Sequence, residues 1–182
     1  MKRLLLTSEF AQSGDYLKKV LPSKEQKMSV AYIANAADMD DDKSWMNVNR
    51  DKFKELGYHI IDIDLREVQH QELSEMIHEL VDTEEILYIG TSAGSIIAGP
   101  NIESTKFIDE PEDAPELQNY TSFDLVNFVT VPHVGTGDFY YEYEKGYFEL
   151  FHNLKHSPYP HICLKDNQAV WVEGNSFKII TL

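Results

Sequence analysis

The stretch EILYIGTSAGSIIAGP, residues 85–100, decides how the rest of the chain is read. An apolar run from Ile86 to Ile89 ends in Gly90-Thr91-Ser92-Ala93-Gly94 and continues as small and apolar residues. A β-rich run, then G-x-S-x-G, then a helix-compatible segment is the sequence form of a nucleophile elbow. A serine on so sharp a strand-to-helix turn crowds side chains two positions to either side, and glycine at 90 and 94 is expected to relieve that crowding. The Ser92 hydroxyl would then stand above the sheet. The Ala93 N–H, at the start of the helix, would face a developing oxyanion. A bare G-x-S-x-G arises by chance in a chain this long at roughly the 5% level, so the flanking sequence must support it.

The flanks alternate. RLLLT (3–7), MSVAYIA (28–34) and YHIIDI (58–63) are continuous apolar runs of parallel-strand type. Between them, residues 15–21 and 43–56 carry apolar residues at helical spacing, the first stopping at Pro22 and the second at Gly57. Residues 71–81 repeat the pattern with Leu73, Met76, Ile77 and Leu80. This alternation predicts one α/β domain over 1–182, with a mainly parallel sheet flanked by helices. Ligands of such sheets bind beyond the carboxyl ends of the strands, where Ser92 falls. Further on, residues 128–131 read as a strand leading into Pro132-His133-Val134-Gly135-Thr136-Gly137, and 139–154 as a partly buried helix. Three antiparallel strands are expected at 161–164, 169–172 and 177–180, with turns at Asp166-Asn167 and Gly174-Asn175.

Composition narrows the function classes. A net charge of −15 opposes nucleic acid and anionic membrane as partners. No apolar run approaches the roughly 18–20 residues of a membrane span, and the opening MKRLLLTSEF reads as a strand rather than a signal peptide. A single cysteine, Cys163, excludes an internal disulfide and fits a reducing cytoplasm.

Ser92 needs a base, and seven histidines are available. His133 ends a strand at the same sheet edge and is the preferred candidate. The i, i+4 pair His152 and His156 has metal-ligand spacing but no third ligand, and the acids at 38, 40, 41 and 42 read as a solvated loop with helix-capping acids. His59 and His161 fall within strands, and His70 and His78 in a polar helix, each without an identifiable partner. Asp109, Glu110, Glu112 and Asp113 lie between Ser92 and His133 as candidate carboxylates, with Asp109 preferred.

YIGTSAGSIIAGPNIE (88–103), the Pro132-His133 pair at a strand end and the LLLTS opening together resemble the dipeptidase E (peptidase E, aspartyl dipeptidase) family of serine peptidases, with cyanophycinases as more distant relatives. The resemblance spans nearly the whole chain. It implies a class I glutamine amidotransferase-like fold, Ser92 as nucleophile, His133 as base, and cleavage of short peptides, in well-studied members Asp-initiated ones. It implies no metal and no cofactor. Two departures stand out. Typical members carry an acid fifteen positions after the nucleophile, where this chain has Phe107. They also have a further strand, ending in a G-G-G-N-T-like loop that completes the oxyanion hole, whereas no glycine lies here between Gly57 and Gly90. A strand–helix unit is therefore expected to be absent, which weakens the oxyanion hole and exposes a sheet edge across which a homodimer would form. A non-catalytic homologue that binds a peptide or partner protein in the same cleft is the competing reading. An aspartyl substrate would also need a cation, for which Lys106 and Arg66 are the candidates.

Overall fold

The computed structural model describes residues 1–21, 28–66, 68, 70–109 and 114–181. Pro22, Glu110, Glu112 and Asp113, singled out above, lie outside them.

Strand β1 (Arg3–Thr7) is the centre of the molecule. Leu4 and Leu6 point to one face and Leu5 to the other, and all three are fully buried, so a strand of continuous leucine serves two cores. β1 pairs in parallel with the elbow strand β4 (Tyr88–Thr91). On its other side it pairs antiparallel with β7 (Gln168–Glu173), which in turn pairs antiparallel with β8 (Ser176–Thr181). The order is β4-β1-β7-β8. Two further pairs, both parallel, stand apart: β2 (Ser29–Ile33) with β3 (His59–Ile63), and β5 (Val129–Val131) with β6 (His161–Cys163). The architecture is α/β and glutamine amidotransferase-like, with mixed pairing. The expectation for residues 161–164 is corrected: β6 runs parallel to β5, its buried Ile162 opposite the buried Thr130, rather than pairing with the C-terminal hairpin.

Helices α1 (Phe10–Ser13), α2 (Leu17–Val20) and α3 (Ser44–Glu55) lie toward the Leu5 face, where Phe10 stacks on Phe53 at 4.0 Å between centroids. The expected helix at 15–21 is split: residues Gly14–Tyr16 form a 3₁₀ turn before α2. The acidic loop is tied to the start of α3, where Asp42 accepts the Ser44 N–H at 2.8 Å and Asp40 accepts the Trp45 indole N–H at 3.0 Å. Helix α4 (His70–Asp82) covers the opposite face through Leu73, Ile77 and Val81. After the elbow come single turns, α5 (Ala93–Ile96) and α6 (Thr105–Ile108). The expected helix at 139–154 is two helices, α7 (Gly137–Glu142) and α8 (Glu144–Asn153), separated at Tyr143. Among the described residues no helix is long and apolar enough to cross a membrane, and no group of three or more metal-ligating side chains is assembled.

Tyr147 ties α8 to the loop after β5. It is fully buried and its hydroxyl donates to the Pro132 carbonyl at 2.8 Å, one residue before His133. Tyr147→Phe strands that carbonyl, at a cost of about 1–2 kcal/mol, and should lower Tm by about 2–8 °C in a chain of this size. Thermal unfolding followed by circular dichroism checks this, and an unchanged Tm would show that the bond carries no stability.

Candidate active site

Four chain segments reach the same sheet edge. β1 and β4 are parallel and in register, Thr7 opposite Thr91, so both finish there. β7 is antiparallel to β1, with Ala169 opposite Thr7, so the residues that precede β7 arrive where β1 ends. The residues that follow β5 come to the same place. Ser8, Ser92, His133 and Asp166 are thereby brought together.

Ser92 has φ 48° and ψ −116°, a conformation few non-glycine residues adopt. Its N–H is held by the Thr7 and Ser8 carbonyls at 3.0 and 3.1 Å, and Ser95 and Ile96 return N–H bonds to its carbonyl. The turn is fastened further by the Ser95 hydroxyl donating to the Thr7 carbonyl (2.7 Å) and the Tyr88 hydroxyl donating to the Gly94 carbonyl (2.7 Å). Gly90 behaves as the motif requires, since a Cβ there would sit 2.5 Å from the Gly94 carbonyl oxygen. Gly94 does not. Among the described residues a Cβ at 94 would meet nothing within 4 Å, which corrects the expectation that both glycines relieve crowding. The physical reason is the short α5, together with β4 ending its sheet on that flank.

The Ser92 hydroxyl lies 2.9 Å from His133 Nε2. On the other side of the ring, Nδ1 lies 2.7 Å from Asp166 Oδ1. An ionised carboxylate only accepts, so the Nδ1–H donates to it, leaving Nε2 as the acceptor for the serine proton. Asp166 is 7% exposed. Burial pushes its carboxyl upward, but hydrogen bonds from His133 and Ser8, together with the attraction of His133 and a hydrogen bond with Thr136, hold it below the usual carboxylate range. Gly137, at φ 73°, wraps the carboxylate so closely that a Cβ would lie 2.8 Å from Asp166 Oδ2. The Asp166 N–H donates to the Thr136 hydroxyl at 3.0 Å. The glycine loop after His133 thus encloses the acid.

The carboxylate on the imidazole is therefore Asp166, where the sequence reading preferred Asp109. Asp109 instead caps the C-terminal end of α6 in extended backbone and is exposed. From its local sequence Asp166 is only a turn residue. Its place depends on β7 pairing with β1, a long-range contact that local pattern does not encode. Ala93 opens α5, so its amide has no intrahelical acceptor, and the residue is exposed beside Ser92. Of the two candidate cations, Arg66 pairs with Asp64, while Lys106 pairs with Glu103 at 3.0 Å and lies over the Tyr120 ring at 3.9 Å. His152 bonds within its own helix, to the Phe148 carbonyl at 3.3 Å.

Comparison with known proteins gives peptidases as relatives. An uncharacterized peptidase of Pasteurella multocida (strain Pm70) is 28% identical over 161 residues, covering 73% of this chain and 77% of its own length. An uncharacterized peptidase of Listeria innocua is 29% identical over 167 residues, with 73% and 77% covered. A crystal structure of a candidate peptidase E protein from Listeria monocytogenes EGD-e superposes with a TM-score of 0.77 at 22% identity, covering 100% of this chain and 99% of the other. The family model described as peptidase family S51 matches residues 65–180, a span holding the elbow, the His133 loop and the Asp166 turn. The chain belongs to peptidase family S51.

Proposed function

We propose that the protein is a serine-type peptidase acting on short peptides, with Ser92 as nucleophile and His133 as general base. The observation that carries this reading is the continuous relay from Ser92 Oγ through both imidazole nitrogens to Asp166, at 2.9 and 2.7 Å. His133 takes the serine proton as Oγ attacks the scissile carbonyl, then returns it to the leaving amine. Asp166 holds the tautomer and offsets the imidazolium charge. On this reading the Ala93 N–H, at the start of α5, is the donor assigned to the oxyanion. Substrate choice stays at short peptides, because both cations considered for a substrate carboxylate are already paired.

A fluorophosphonate probe followed by peptide mapping tests the reading. The adduct is expected on Ser92, and intact protein without an adduct there would overturn it. A second reading, peptide binding with little turnover, draws on one observation: among the described residues β4 ends its sheet and nothing lies within 4 Å of a Cβ built at 94, so that flank of the elbow is open. Losing one oxyanion donor costs about 10²–10³ in turnover. Slow probe labelling of Ser92 without measurable hydrolysis of dipeptides would favour it, and labelling at the rate of an intact peptidase would count against it.

A further inference from the structure

We infer that Ser8 is a positioning residue for the Ser92–His133 pair, acting through Asp166 and through the backbone of His133. This rests on the peptidase reading above.

The Ser8 side chain is fully buried at the end of β1 and meets two of the three other groups at the site. Its oxygen accepts the His133 backbone N–H at 2.7 Å. Its proton goes to Asp166 Oδ1 at 2.9 Å, since the carboxylate has none to give. The same oxygen is 3.3 Å from His133 Nδ1, so its remaining lone pair faces the Nδ1–H that bonds mainly to Asp166. One hydroxyl thus joins the ends of three segments that are distant in sequence, residue 8 being 125 positions from His133 and 158 from Asp166.

Two strains make that junction necessary. His133 is held at φ 61°, where a β-substituted residue is disfavoured by roughly 1–3 kcal/mol. The bond from its N–H to Ser8 fixes that conformation at the nitrogen, as the Thr136 N–H bond to its carbonyl does at the other end. Asp166 is buried, and its charge needs donors besides the imidazole if it is to stay ionised while His133 changes charge during the reaction. Ser8 supplies one without carrying a charge itself. The Phe139 ring, 5.1 Å from the imidazole between centroids, cannot substitute for it.

Ser8→Ala is the test, read by three measurements. Fluorophosphonate labelling of Ser92 should slow about ten-fold, the equivalent of about 1.4 kcal/mol for one charge-assisted hydrogen bond. Acid inactivation of labelling should begin at higher pH, because a carboxylate that loses a donor protonates more readily. The downfield proton resonance of the His133 Nδ1–H should move or broaden, a signal that needs no substrate. In an Asp166→Asn background the same substitution should cost little more, since neighbours in one network are not additive. Should Ser8→Ala fail to fold, Ser8→Cys, close in volume and a weak donor, carries the same measurements. A lower Tm with labelling rate, acid limb and resonance all unchanged would overturn the inference, leaving Ser8 a packing residue. Wild-type protein that shows the resonance but never labels would instead count against the peptidase reading.

Discussion

Asp166→Asn is expected to slow the acylation of Ser92 on the order of 10⁴-fold, the size seen when a buried triad carboxylate becomes an amide, while Asp109→Asn leaves the rate unchanged. An amide oxygen at the Oδ1 position can still accept from Ser8 and from the imidazole, so the fold and the approach of the groups should survive. What is lost is the charge. An imidazolium formed beside a neutral amide in a site this enclosed has nothing to offset it, and an amide nitrogen turned toward the ring would force the proton from Nδ1 to Nε2. That tautomer points a donor at the Ser92 hydroxyl and cannot take its proton. The measurement is the pseudo-first-order rate of fluorophosphonate labelling across pH, with the unfolding midpoint as control. A slow Asp109→Asn beside a normal Asp166→Asn would remove Asp166 from the mechanism.

The asymmetry between those two aspartates shows where the sequence was readable. Ser92 sits in a pattern whose steric demands are local: strand, glycine, tight turn. His133 could be preferred because it follows an apolar strand and opens a glycine-bearing loop. Asp166 has no such local mark. It lies in a two-residue turn that looks like many others, and becomes a site residue only because β7 runs antiparallel beside β1 and so brings its own start to the carboxyl edge. Ser8 stands one residue past the first apolar run and is marked in the sequence only by the LLLTS opening. The same limit explains β6. Its residues predict a strand, but its partner and direction follow from the buried pairing with β5, 32 positions earlier at Val129↔His161. The α/β class, the strands at the first three runs and the capped helix at 44–55 rest on periodicity and capping, which are local, and these were readable.

The elbow itself yields a sharper experiment, because its two glycines are not equivalent. Gly90→Ala would drive a methyl to 2.5 Å from the Gly94 carbonyl oxygen and 2.8 Å from the Ser95 nitrogen, both backbone atoms. Neither can swing aside as a side-chain tip would. The turn must open, at about 1–3 kcal/mol or more, and Ser92 moves with it. A displacement near 1 Å costs about 10² in rate. Gly94→Ala meets open space and is expected to raise stability by about 0.4–1 kcal/mol, because alanine restricts the unfolded chain and suits the helical turn of α5. Its labelling by a small probe should persist. Paired unfolding and labelling measurements decide the matter: Gly90→Ala should lose stability and reactivity together, and Gly94→Ala neither. Equal damage from both would mean that the flank beside Gly94 is closed in solution, which would also withdraw the support it lends to the low-turnover reading.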